Sequence, residues 1–304
     1  MATYYAVNPF EVATLQAQLQ AAIRQNNDAG HWLALVDTAF DHGAKTLPWP
    51  TTIWPVYHTG KLALMQSVSP VLLTLPTADD AGFDKTVSRL LHHCRGRPML
   101  SFLHSVEHPQ TLRESWQSVL EIESESGQSF VLRFADTRTT PGIATALASS
   151  AWARLSHGIE QWLCIDREGG LQEQPLAEPH GQSPSAGGQQ ETVRISNKEL
   201  AQLLRLGQPD ALADALQEHF PELLIPGQGA LMHQRLRAAC DLAEKHSIEA
   251  FPDLMALAVA ICSTDGQLLE DADFENWLQQ RQWQSAGLAN ALSDYLEPSN
   301  ASEI

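Results

Sequence analysis

One string in the sequence has the residue types and spacing of a catalytic metal site. His104, Glu107 and His108 match the pattern H-x-x-E-H, in which two histidines bind zinc and the glutamate acts as general base. That geometry needs one helix through the whole string. Here an apolar run of β-forming residues leads into His104, and Pro109 disfavours a helical conformation at His108. We therefore expect a strand-to-helix loop with solvated histidines, and a zinc-dependent hydrolase that uses these three residues is the alternative function.

The other chemistry-bearing strings do not complete a motif. Residues 263–266 (STDG) resemble part of a calcium loop, but Ile261 and Ala272 would then occupy ligand positions. Residues 92–94 (HHC) hold metal-ligand types at the end of a predicted helix, where adjacent side chains diverge by about 100°. The sequence has no G-x-S-x-G motif and no complete phosphate-binding loop. We therefore predict a protein that is not an enzyme and has no cofactor or metal.

Charged residues stand at the ends of two apolar runs. WLALVD ends on Asp37, and FVLRFADTR carries Arg133, Asp136 and Arg138. Side chains alternate faces along a strand, so we expect the two arginines to flank Asp136 through the following turn. An arginine fork can donate two hydrogen bonds to one carboxylate, which would fix the turn into a helix that begins near Pro141. This cluster is either a structural ion-pair network or part of a docking surface.

Helix and strand patterns alternate along the first half of the chain. Helices are predicted over residues 9–25, 83–94, 109–122 and 141–153, where apolar residues recur at spacings of three and four. Short runs rich in β-forming residues predict strands over 31–39, 53–57, 71–75, 99–103, 130–134 and 162–165. Interleaved strands and helices indicate an α/β lobe around a mixed central sheet.

A change in composition separates this lobe from the rest of the chain. Residues 169–192 are rich in Gly, Pro, Ser and Gln and show no periodicity, which predicts a flexible linker or loop. Beyond it, helices are predicted over 197–206, 209–220, 229–246, 251–262, 271–280 and 286–296. The predicted domains are therefore an α/β lobe over 1–168, the linker over 169–192 and an all-α lobe over 193–304. Limited proteolysis is expected to cut the linker first.

Charge and cysteine content restrict the function classes. The 304 residues carry 19 Lys and Arg against 36 Asp and Glu, a net charge of −17, which disfavours nucleic acid and anionic membranes as partners. The longest apolar stretch, residues 254–262, is about half of a membrane span. The first residues show neither the basic nor the apolar region of a secretory signal. The four dispersed cysteines are expected to be free thiols, so a cytoplasmic location is predicted.

The order of these strings resembles a known protein family. WLALVDTA, WPVYHTG, SPVLLTL, MLSFLHS and SFVLRFADTR, followed by a helical region, are similar to the Tap/Tec-type effector adaptors, or chaperones, of bacterial type VI secretion. The resemblance is specific over about residues 32–147. The matching positions are Asp37, Pro70, Leu72, Leu75, Arg133, Phe134, Asp136 and Arg138. Thr137 stands where the family pattern has Pro.

The resemblance implies a cytoplasmic, non-enzymatic adaptor. Its partners would be a secreted effector protein, which it binds and stabilises, and the VgrG spike protein, onto which it loads that effector. Asp37, Pro70, Arg133, Asp136 and Arg138 would then be partner-binding or structural residues. A scaffold unrelated to secretion is a third option, and the sequence leaves open the effector, the binding lobe and the stoichiometry.

Overall fold

The chain forms two compact units. The computed structural model describes residues 3–26, 30–41, 52–177, 192–285 and 287–296. One unit is Pro9–Leu206, and the other combines Met1–Asn8 with Gly207–Ile304. The predicted fold class is confirmed: an α/β N-terminal region with both antiparallel and parallel strand pairing precedes a C-terminal region of mostly helices.

The first unit, the α/β unit, holds all nine described strands. Its elements in chain order are α1 (Val12–Gln25), β1 (His31–Asp37), β2 (Ile53–Pro55), β3 (Pro70–Thr74), α2 (Phe83–Cys94), β4 (Leu100–Ser105), α3 (Pro109–Ser115), β5 (Glu121–Ser124), β6 (Ser129–Val131), α4 (Thr140–Ala146), α5 (Ala151–Leu155), β7 (Ile159–Ile165), β8 (Leu171–Glu173) and β9 (Val193–Ile195). Six strands form a sheet of order β2-β3-β1-β4-β7-β8, whose neighbouring strands pair antiparallel. The parallel pairing lies in the smaller sheet β6-β5-β9, between β5 and β9.

Strand β1 lies inside the large sheet, between β3 and β4, and is buried on both faces. Leu33 and Leu35 belong to the core on one face, and Ala34 and Val36 belong to the core on the other. Helices α1 and α2 supply apolar side chains to the second of these cores. Burial on both faces explains why β1 reads as a continuous apolar run rather than an alternating one.

Four local predictions need correction. Residues 121–124 form β5 rather than the end of a helix over 109–122, and the strand predicted over 130–134 ends at Val131. Residues 193–195, predicted as part of an all-α lobe, form β9 and pair with β5. Within the predicted linker, β8 pairs with β7. Residues 178–191 lie outside the described residues.

The second unit, the helical unit, is built from α7 (Gly229–Lys245), α8 (Phe251–Ser263), α9 (Ala272–Gln280) and α10 (Leu288–Leu296), and the division between the units falls inside α6 (Asn197–His219). Its core includes Leu236, Leu257 and Phe274, together with Ala6 from the N-terminal segment. Asn8 accepts a hydrogen bond from the backbone N–H of Ala230 at 3.0 Å. In the described parts of the chain, no helix is both long and apolar enough to cross a membrane.

Candidate functional site at the end of β1

Four charged side chains meet where β1 ends. Arg138 donates two hydrogen bonds to Asp136, from Nε to Oδ1 at 3.1 Å and from Nη2 to Oδ2 at 2.8 Å. Arg133 Nη2 lies 2.8 Å from Asp37 Oδ2 and 3.8 Å from Asp136 Oδ2. The two arginines therefore flank Asp136 as expected, and Arg133 also joins it to the carboxylate at the end of the central strand.

Backbone hydrogen bonds hold this cluster against three strand ends. The Asp37 N–H donates to the Met99 carbonyl at 2.9 Å, just before β4. The Thr137 N–H donates to the Pro98 carbonyl at 3.0 Å, which fixes the turn that carries Asp136. Pro70 begins β3 directly opposite Asp37 in the antiparallel register. The structure thus brings all five predicted site residues into one neighbourhood, with Pro70 contributing through strand register.

Burial divides the four charged residues into two classes. The side chains of Asp37 and Asp136 are 3% and 2% exposed, and that of Arg138 is 12% exposed. Arg133 is 46% exposed and is therefore the member that a partner can reach. Burial raises the pKa of Asp37 above its ordinary value, although the Arg133 guanidinium acts in the opposite direction. Buried carboxylates of this kind depend on their arginines for charge compensation.

An aromatic ring that the sequence analysis did not single out completes the site. The Phe40 ring centroid lies 5.4 Å from Arg133 Cζ and 5.6 Å from Arg138 Cζ, both within cation–π range. Phe40 is half-buried and sits in the 3₁₀ turn Thr38–Asp41 that follows β1. It therefore orients both guanidinium groups while leaving part of its own ring exposed.

A second ion cluster is centred on Asp41, the residue that follows Phe40. Asp41 accepts from Arg97 Nη1 at 2.5 Å, and its Oδ2 lies 2.9 Å from His93 Nε2. Burial acts to raise the pKa of Asp41, but the hydrogen bonds to His93 and Arg97 outweigh it and lower that pKa. Cys94, next to His93, is buried in the core. His93 and Cys94 are therefore held in structural contacts.

The segment that packs against the turn after β1 presents exposed apolar side chains. The 3₁₀ segment Lys61–Val68 packs against the turn Thr38–Asp41. It presents Leu64, which is 92% exposed, and Met65, which is 44% exposed. Apolar side chains surrounded by polar ones are typical of protein-binding surfaces. We call these residues the β1-end surface: Phe40, Leu64, Met65 and Arg133.

The H-x-x-E-H string does not form a helix. His104 lies in β4, is 1% exposed, and stacks on Trp32 with ring centroids 5.2 Å apart. Its Nδ1 is 3.0 Å from Glu160 Oε2. His108 is the N-cap of α3, where its side chain accepts from the Gln110 N–H. The string leads from a strand into a helix as expected and His108 is exposed, but the expectation of a solvated histidine is wrong for His104, which is buried inside β4. The described residues contain no group of three or more His, Cys, Asp or Glu that could hold a metal ion.

One comparison with known proteins matches the part of the chain that contains the candidate site. No curated protein and no solved structure matches the sequence. Residues 32–154, about two-fifths of the chain, match the model of a protein family described as a domain of unknown function (DUF4123). This segment begins in β1, ends in α5 and contains all the residues of the candidate site, so the site lies within a region similar to DUF4123.

Proposed function

We propose that this chain is a non-enzymatic cytoplasmic adaptor that binds a type VI secretion effector, stabilises it and helps to load it onto the VgrG spike. The observation that carries the proposal is that two likenesses cover the same part of the chain. The resemblance to type VI adaptors covers about residues 32–147, and the DUF4123 match covers residues 32–154. Both include the strings that end on Asp37 and that carry Arg133 to Arg138.

The site geometry supports protein binding over catalysis. Asp37, Asp136 and Arg138 are buried in ion pairs, which suits the fixing of a turn. The half-exposed Arg133 and the exposed Leu64 provide the mixture of arginine and apolar area that protein interfaces favour. We infer that the effector contacts the β1-end surface, and that the buried ion pairs hold this surface in shape.

The proposal is tested by co-expressing the chain with an effector encoded beside it. We expect the adaptor to raise the soluble yield of that effector and to co-purify with it. Leu64→Asp should weaken the complex, since it places a charge in the apolar part of the surface. Leu231→Asp is the matched control, because Leu231 is also exposed, at 38%, but lies on α7 in the helical unit.

Two outcomes would contradict the proposal. Failure to co-purify with any neighbouring effector or with the spike protein would remove the adaptor function. Stoichiometric zinc in the purified protein, lost together with a hydrolytic activity in His104→Ala, would favour the hydrolase instead. Equal weakening by Leu64→Asp and Leu231→Asp would leave the adaptor function in place and remove the β1-end surface as its binding site.

A further inference from the structure

The helical unit contains a cleft whose lining is aromatic, acidic and amide in character. It is an open depression of about 500 Å³ beside α9 and the end of α10. The lining residues are Asp273, Asn276, Trp277, Gln279, Gln280 and Tyr295. None of them is basic, and the whole chain carries a net charge of −17. The charge of the cleft therefore favours a cationic ligand.

The aromatic part of the lining is held rigidly. Phe274 is fully buried beneath Trp277, with the two rings stacked 5.8 Å apart. Tyr295 lies 5.1 Å from Trp277 and donates its hydroxyl hydrogen to Asp271 Oδ2 at 3.2 Å. The other oxygen of Asp271 caps α9 by accepting from the Asp273 and Phe274 N–H groups. One capping residue thus fixes both the helix and the tyrosine ring.

The acidic part of the lining lies one helical turn from the tryptophan. Asp273 and Trp277 are four residues apart on α9, so they share a face. The Asp273 side chain is exposed, and Trp277 is half-buried. Lys245 pairs with Glu275, which lies two positions along α9 from Asp273. A cation in the cleft would meet the indole face and a carboxylate together.

We propose that this cleft binds an arginine side chain on a segment of another protein. A guanidinium stacks on tryptophan and donates hydrogen bonds from its plane to carboxylate and amide oxygens, which is the combination that the lining offers. The cleft is open along one side, so it suits a side chain from a segment lying across it better than an enclosed small cation. The chain's own last eight residues, 297–304, contain two Glu and no Lys or Arg, so their charge does not match the cleft.

The experiment uses the full chain and a capped Gly-Arg-Arg-Gly peptide, with a citrulline peptide of the same length as the uncharged control. The readout is the indole N–H signal of Trp277 in an NMR titration, assigned by its loss in Trp277→Phe. We expect the arginine peptide to shift this signal, and added salt to weaken the binding. Asp273→Asn should weaken binding roughly threefold to fivefold, the scale of one exposed ion pair.

Glu249→Gln is the control variant, because it removes an exposed carboxylate of the same unit away from the cleft. Its affinity for the arginine peptide should equal that of the unaltered chain. Equal binding of the citrulline peptide, or no effect of Asp273→Asn, would overturn the proposal. A Trp277 shift that instead follows protein concentration without peptide would assign the cleft to a second copy of the chain. The peptide test needs no effector, so its failure would leave the proposed adaptor function standing.

Discussion

The guanidinium of Arg133 reaches the carboxylate of Asp37 at 2.8 Å across 96 residues of chain. Asp37 ends the central strand, and Arg133 precedes the turn into α4. The two charged strings that the sequence shows separately are therefore parts of one assembly. Its buried members fix the backbone, and its half-exposed arginine faces outward.

Asp136→Ala should strongly destabilise the α/β unit. The substitution removes the carboxylate that accepts hydrogen bonds from Nε and Nη2 of the mostly buried Arg138. Breaking a buried pair from one side costs on the order of 3 kcal/mol of unfolding free energy. Chemical denaturation measures the loss, and effector binding should fall with it. Asp79→Ala, which removes an exposed acid, is the control. If binding is lost at unchanged stability, the cluster contacts the effector directly. If stability and binding are both unchanged, the cluster has neither a structural nor a binding role.

Arg133→Met should destabilise the protein more at neutral pH than in mild acid. Burial already raises the folded-state pKa of Asp37, and the substitution removes an opposing positive charge and raises that pKa further. A carboxyl with a raised folded pKa binds protons more tightly in the native state, so stability falls as pH rises through that range. We expect a loss of about 1 kcal/mol near neutral pH, since Arg133 is half exposed.

The measurement is urea unfolding of the Arg133→Met variant at about pH 7 and about pH 4.5, a pair that brackets the titration of a raised carboxyl. Arg24→Met is the matched control, because Arg24 is an exposed arginine in the last turn of α1. A loss that is the same at both pH values, or larger in acid, would show that Asp37 does not titrate as its burial requires.

Gly229→Ala should disrupt the helical unit. A Cβ at this first residue of α7 would lie 2.3 Å from the backbone N of Val7 and 2.4 Å from its carbonyl O. The backbone there cannot yield as a flexible side chain does, so we expect a loss of about 1–3 kcal/mol, as in overpacked cores. Gly207→Ala is the paired control: its Cβ meets nothing within 4 Å, and α6 should gain about 0.5–1 kcal/mol. Equal melting temperatures for the two variants would refute the close approach at Val7.

The four cysteines should resist thiol reagents in the native protein. All four are buried thiols outside any disulfide, and burial raises the pKa of Cys164 and of Cys262 to about 11. The thiolate is the reactive form, so little of it is present at neutral pH. Ellman's reagent should label none of them quickly before denaturation and all four afterwards. Rapid labelling of a single thiol in native buffer would reveal local opening at that residue.

The sequence predicts best where burial leaves a regular pattern. The apolar run through Leu33 and Val36 predicts β1 because both faces of that strand are covered. Ile122 and Val193 show the limit of the method. Each is a buried residue of a short alternating segment, and such a segment fits a helix end or a loop until its pairing partner is known. Tertiary pairing then decides the local structure.

The same distinction applies to the candidate site. Asp136 and Arg138 lie two residues apart, so their ion pair is visible from local spacing. The pair of Asp37 and Arg133 depends on where the turn after β6 meets the end of β1, which no local pattern specifies. An apolar run that ends on a carboxylate was the available signal, because a buried charge requires a partner. Phe40 gave no signal, since a lone aromatic after a strand is ordinary.

The parallel pairing of β9 with β5 changes what a cut in the backbone would produce. Val193 and Ile195 belong to the core of the α/β unit although they follow residues 178–191 in the chain. A protease that cleaves within residues 178–191 would break the covalent link between β8 and β9, while β9 stayed hydrogen-bonded to β5. The products would be complementing fragments: two bands under denaturing conditions and a single species in gel filtration. A fragment that begins at Val193 and is expressed alone would contain β9 without β5, the strand with which it pairs.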